Sequence, residues 1–148
     1  MSDLRELYQE IILDHNRRPR NFRPLEGDHR EAEGYNPLCG DQVKVYVSLR
    51  EDRIEEVTFQ GNGCAISQAS ASLMTEALKG RTVTEALSFF DGFQRMLTQD
   101  DAAPPEVDLG KLEALFGVRK YPMRVKCATL AWHTFKSALE GAESATTE

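Results

Sequence analysis

Asp41-Gln42-Val43-Lys44-Val45-Tyr46-Val47 sets the architecture of this chain. Val43, Val45 and Val47 alternate with Gln42, Lys44 and Tyr46, the period of two expected of a strand with one apolar face. Ile54, Val57 and Phe59 resume the pattern after Glu51-Asp52-Arg53. The spacing predicts an antiparallel hairpin that leads out from Asp41 and returns toward Gly61. Upstream, residues 29–36 read as a short first strand.

Helices surround this sheet. Leu4, Leu7, Ile11 and Ile12 recur at helical spacing, which predicts an amphipathic helix over residues 3–15, stopped by Pro19. His15, near its end, reads as a capping or surface histidine. Residues 65–79 follow the hairpin as a helix with Gly80 as its C-terminal cap. Thr82 and Glu85 form a capping box for another helix running toward Leu97. Gln99-Asp100-Asp101-Ala102-Ala103-Pro104-Pro105 reads as a surface loop. Asp108 is placed to cap a short helix through Phe116 that Gly117 ends. A last helix starts near Pro122 and runs to about Glu140, with Ala128, Ala131, Trp132, Phe135, Ala138 and Leu139 on its core face and His133 toward solvent. The fold class is α+β: a small antiparallel sheet of about three strands packed against several helices. Residues 1–140 form one domain and residues 141–148 a disordered tail.

The three cysteines carry the chemistry. Cys39 lies in Pro37-Leu38-Cys39-Gly40-Asp41, Cys64 in Gly61-Asn62-Gly63-Cys64 and Cys127 in Arg124-Val125-Lys126-Cys127. Cysteine is often just a small buried hydrophobe. Here none of the three sits in a continuous apolar run, and Gly40, Gly61 and Gly63 permit close backbone approach to a ligand. An odd count fits a disulfide framework poorly. The hairpin brings Cys39 and Cys64 together, and Cys64 falls at a helix start, where the helix dipole favours a thiolate. With Asp41, three sulfurs and one oxygen suit a tetrahedral zinc site or an iron–sulfur cluster. Arg124 and Lys126, beside Cys127, soften the surplus negative charge of such a donor set.

Composition narrows the partners. The chain has 148 residues, enough for one domain with a real core. A net charge of −6 argues against a general nucleic-acid surface. The local cluster Arg17, Arg18, Arg20 and Arg23 reads as a solvated helix end and turn. No apolar run approaches a membrane span and the charged N-terminus is not a secretory signal. A reducing cytoplasm, which keeps thiols available to metal, is the expected location.

Leu7-Tyr8, Ile12-Leu13-Asp14-His15, Pro19-Arg20-Asn21, Asn36-Pro37-Leu38-Cys39-Gly40-Asp41, Gly61-Asn62-Gly63-Cys64 and Lys126-Cys127-Ala128 together resemble the IscU/NifU-N family of iron–sulfur assembly proteins. The resemblance extends from near the N-terminus to about Leu139. Within that family the chain is more similar to the SufU branch. Scaffold proteins of the IscU type carry a histidine immediately before the third cysteine, where this chain has Lys126. They also lack a segment comparable to that around Phe93–Leu115.

The resemblance implies a zinc-dependent sulfurtransferase. Cys39 would accept persulfide sulfur, Asp41, Cys64 and Cys127 would complete the zinc site with it, and Arg124 would support acceptance. The implied partners are a PLP-dependent cysteine desulfurase of the SufS type and the downstream iron–sulfur assembly machinery. PLP would belong to the partner. The alternative is a scaffold that assembles and transfers a 2Fe-2S cluster on the same residues. A non-catalytic module with structural zinc is a third reading, disfavoured by the aspartate and the dispersed cysteines.

Overall fold

The computed structural model describes residues 2–37, 40–98, 109–141 and 144–146. Its elements in order are α1 (Ser2–Arg17), β1 (Arg30–Asn36), β2 (Asp41–Arg50), β3 (Arg53–Asn62), α2 (Ala65–Leu78), α3 (Val83–Thr98), a 3₁₀ segment (Gly110–Lys120), α4 (Pro122–Leu139) and β4 (Ser144–Thr146). The sheet order is β3-β2-β1-β4. The first three strands are antiparallel, with Asn36 opposite Asp41 and Gln42 opposite Asn62. The expected hairpin therefore delivers Asp41 and Cys64 to the same end of the sheet.

Alternation explains which sheet face is covered. Val43, Val45, Val47, Ile54, Val57 and Phe59 are buried against α2 and α4, where they join Leu73, Met74, Leu130 and Phe135 in one core. Trp132 is 1% exposed and stacks on Phe93 with ring centroids 4.7 Å apart, so the aromatic stripe of α4 is packing. At the site end of the hairpin, Gly61 is required by proximity. A Cβ there would run into the Gln42 carbonyl oxygen and lie 2.8 Å from Val43 Cα.

The capping box closes as expected: Glu85 Oε1 accepts from Thr82 N at 2.9 Å, and Thr82 Oγ1 accepts from Glu85 N at 3.1 Å. Gly80 follows α2 with φ of 85°, the left-handed cap conformation.

Several sequence-based expectations are corrected. His133 is half-buried, its ring 5.3 Å from that of Phe90, and burial lowers its pKa. Leu7 is 50% exposed although it sits in the apolar pattern of α1. The segment before α4 does not stop at Gly117 but continues as 3₁₀ turns to Lys120, because Leu115 and Val118 are both buried. In the region expected to be a disordered tail, Ser144–Thr146 pairs in parallel with β1 as a short strand. The loop over residues 99–105 and the cap at Asp108 lie outside the described residues.

The largest correction concerns His15. It is 1% exposed and bridges α1 to α2: Nδ1 lies 2.7 Å from Ser72 Oγ and Nε2 lies 3.5 Å from Glu76 Oε1. A carboxylate only accepts, so Nε2 carries the proton and Nδ1 of the neutral ring accepts from the Ser72 hydroxyl. Ser72 Oγ in turn accepts from Arg20 N at 2.8 Å. Thr75 Oγ1 accepts from Asn21 Nδ2 at 3.0 Å. Hydroxyls thus fasten α2 to α1 and to the loop that follows it.

Burial, then the Arg20 charge, lowers the pKa of His15, with Glu76 and Asp14 opposing. A folded-state value below the unfolded one means that the unfolded chain takes up the proton first. Stability from this group is complete above the unfolded value of about 6.5 and is lost as pH falls below it. His133 acts in the same sense, whereas the hydrogen bond to the Gly27 carbonyl, then the Glu31 contact, raises His29 and opposes both. We expect His15→Gln to flatten the fall in unfolding free energy between pH 7 and pH 5. Urea titrations at each pH measure it, and an unchanged slope would remove His15 as the source.

Candidate metal centre

Three backbone elements converge at one end of the sheet. Asp41 opens β2, Cys64 is the N-cap of α2, and Cys127 lies in the second turn of α4. Their ligand atoms all lie within 4.8 Å of one another. Asp41 is 3% exposed. Its Oδ1 accepts from Cys64 N at 3.0 Å and its Oδ2 lies 3.6 Å from Cys64 Sγ. The Cys64 sulfur also accepts from Ser67 N at 3.5 Å, so the helix-end amide points at it.

Cys127 approaches from the buried side and Cys64 from the solvent side. The relative setting of α2 and α4 is fixed next to the sulfurs: Ser70 Oγ donates to the Ala128 carbonyl at 2.5 Å and accepts from Trp132 Nε1 at 3.2 Å. Cys39 lies outside the described residues. The chain on either side of it is held, since Gly40 N donates to the Asn36 carbonyl at 2.8 Å across the β1–β2 connection.

The donor set fits a thiophilic cation. Zinc–sulfur bonds of about 2.3 Å and zinc–oxygen bonds of about 2.0 Å at a tetrahedral angle put the two ligand atoms about 3.5 Å apart. The Cys64–Asp41 distance of 3.6 Å meets that requirement. Two sulfurs favour zinc or an iron–sulfur cluster over magnesium or calcium.

Arg124 is exposed and stacks its guanidinium 4.9 Å from the Tyr121 ring centroid. Lys126 is half-buried beside Cys127. Two further contributors had no clear signal of their own in the sequence. Asn36 is 0% exposed and turns its Nδ2 toward Cys127 Sγ at 4.0 Å. Its place opposite Asp41, visible only once the strands are in register, accounts for this reach. Ser67 closes the other side, and Gly63 leaves room for both neighbours. A Cβ on Gly63 would lie 2.9 Å from Ser67 Oγ and 3.3 Å from Asp41 Cγ.

Comparison with known proteins agrees with this geometry. Residues 7–128 match the model of the NifU-like N-terminal domain. The chain belongs to that family. Among NifU-like relatives, an iron–sulfur cluster assembly scaffold protein IscU of Streptococcus pyogenes is 41% identical, over 98% of this chain and 90% of its own. A zinc-dependent sulfurtransferase SufU of Bacillus subtilis is also 41% identical, over 93% and 92% respectively. A crystal structure of a candidate iron–sulfur cluster assembly scaffold protein for the SUF system from Fervidobacterium islandicum superposes with a TM-score of 0.81 at 38% identity, covering 88% of this chain and 94% of that one. The α+β fold read from the sequence is thus that of the NifU-like family, and overall identity does not separate its two named activities.

Gly63→Ala should push Asp41 and the start of α2 apart. We expect a stability loss of about 1–3 kcal/mol from overpacking and a zinc affinity weakened about tenfold, the scale typical of disturbed ligand support. Chemical denaturation and competition with a chromophoric chelator read the two effects, and wild-type affinity would show that the cluster tolerates the extra methyl.

Proposed function

We propose that this chain is an iron–sulfur cluster assembly protein that works as a zinc-dependent sulfurtransferase, accepting persulfide sulfur from a cysteine desulfurase and passing it on. The observation that carries this reading is the convergence of Asp41, Cys64 and Cys127 within 4.8 Å at a solvent-reachable edge of the domain. Cys39, three residues beyond Asn36 in the sequence between β1 and β2, is the fourth member by sequence. The 41% identity to the zinc-dependent SufU supports zinc as the resident ion.

The chemistry is thiol–persulfide exchange. The Cys39 thiolate attacks the outer sulfur of the donor's cysteine persulfide. A new S–S bond forms at Cys39, the donor's S–S bond breaks, and the donor cysteine leaves as a thiolate. The outer sulfur keeps its oxidation level, so no oxidant or reductant is consumed. Bound zinc would supply redox-inert stabilisation of the thiolates. Cys39, Asp41, Cys64 and Cys127 would hold it, Asp41 orienting the Cys64 amide and Arg124 offering positive charge to an incoming anionic sulfur. Because Cys39 belongs to a connection and Cys64 and Cys127 to helices, Cys39 is the sulfur best able to leave the set and attack. PLP would reside on the donor. Among the described residues no helix is long and apolar enough to cross a membrane.

Incubation with a cysteine desulfurase and cysteine, followed by mass spectrometry of peptides, tests the assignment. The persulfide should appear on Cys39, and Cys39→Ser should abolish stimulation of the desulfurase while leaving the chain folded. Persulfide found mainly on Cys64 or Cys127 would overturn the role given to Cys39.

The scaffold reading has its own support in the 41% identity to an IscU scaffold protein. In that reading a 2Fe-2S cluster is cargo carried by the same side chains. Anaerobic purification separates the two: we expect about one zinc per chain and no visible absorbance, whereas iron, acid-labile sulfide and a coloured protein would favour the scaffold.

A further inference from the structure

Charge is distributed unevenly along this chain. Between Glu113 and Glu140 there is no acidic residue, yet this stretch carries Arg119, Lys120, Arg124, Lys126 and Lys136 in a protein whose net charge is −6. The first four fall at the junction of the 3₁₀ segment and α4, immediately ahead of Cys127. Lys120 and Arg124 are exposed, and among the described residues Lys120, Arg124 and Lys126 enter no salt bridge. Elsewhere Arg20 is matched with Asp14, and Arg23 and Lys79 with Glu56, while Arg17 and Arg18 at the end of α1 are exposed and, among the described residues, enter no salt bridge.

Apolar surface is interleaved with these charges. Tyr121 is 52% exposed, Met123 47% and Phe116 45%, three of the larger exposed apolar side chains of the molecule. Arg124 lies on the Tyr121 ring and Arg119 on that of Phe116, at 4.9 and 4.8 Å. Stacking holds these long side chains in place, which lowers the entropy lost when a partner covers them. Aromatic, methionine and arginine side chains together have the composition of a binding face.

Resting on the sulfur-transfer reading, we infer that Phe116, Lys120, Tyr121, Met123 and Lys126, with Arg124, form the face on which the sulfur donor docks, and that the donor presents an acidic surface there. The acidity follows from orientation. An acidic partner is repelled by most of this anionic domain and attracted at this cationic edge, the one that adjoins Cys127, so encounter there is steered to the side where Cys64 and Cys127 meet solvent and core. The same field favours the anionic persulfide as it reaches the site. A neutral or basic donor would gain no such selection of pose.

Lys120 is the residue to test, being exposed and outside the donor set. Titration calorimetry of the zinc-loaded chain with a cysteine desulfurase should give a dissociation constant that rises about tenfold between roughly 50 and 300 mM sodium chloride, as expected for attraction screened over a Debye length. Lys120→Glu should weaken binding by about tenfold at low salt, Lys120→Gln by less, and both should keep wild-type zinc content and melting temperature. Persulfidation by a small alkyl persulfide should be unaffected in both variants, since it needs no docking face. Salt-insensitive binding, unchanged affinity of Lys120→Glu or no binding by the wild type would each overturn the inference. Failure of the wild type to take up sulfur from either donor, with salt-sensitive binding intact, would instead overturn the transfer reading and leave the docking face standing.

Discussion

The carboxylate of Asp41 is the constraint on which the site depends. It accepts the Cys64 amide at 3.0 Å while its second oxygen faces the Cys64 sulfur at 3.6 Å. One buried side chain thereby satisfies the first orphan donor of α2, joins that helix to the sheet, and sets the spacing of two prospective ligands. A buried carboxylate is tolerable only where its oxygens are occupied. The amide and the sulfur occupy them here, and a thiophilic cation would do so more strongly. Close approach of β2 and β3 at Gly61, and of Asp41 and Ser67 around Gly63, is needed to bring that carboxylate home.

The helix that carries Cys64 is attached to its neighbours in an unusual way. Leu73, Met74 and Leu78 bury its apolar side, but Ser70, Ser72 and Thr75 make specific hydrogen bonds to α4, to α1 and to the loop after α1. Apolar contacts alone would allow sliding among similar packings, whereas each hydroxyl is bonded to particular partners at fixed places. Register among α1, α2 and α4 is therefore specified near the candidate metal centre. His15 belongs to this system, which is why a histidine near a helix end is buried.

The site also has two distinct sides. Cys127, Asn36 and Asp41 belong to the interior, while Cys64 and the rim at Tyr121, Met123 and Arg124 meet solvent. Interior ligands favour retention of a metal, and an open sulfur favours exchange with a partner. Sulfur transfer and cluster assembly, the two activities proposed above, would both draw on this combination. Lys126 in the position before Cys127 is what tilts the reading, since a cation there compensates charge but supplies no further ligand.

Alternating valines, the capping box at Thr82 and Glu85, Gly80 after α2 and Pro122 at the start of α4 fixed most element types from the sequence, because each is a local preference of the backbone. The hairpin leading out from Asp41 and back toward Gly61 was legible as well, since antiparallel pairing returns a chain to its origin. What local preference could not decide were the contacts between distant elements. Burial of His15 against Ser72, the reach of Asn36 to Cys127 and the half-buried ring of His133 all follow from how helices pack on the sheet. The continuation of the 3₁₀ segment past Gly117 follows likewise from the burial of Leu115 and Val118, and the pairing of Ser144–Thr146 from the open edge of β1. Polar side chains acquire their environment from packing, so the sequence by itself determined the framework and the ligand candidates, and the tertiary structure alone decided their surroundings.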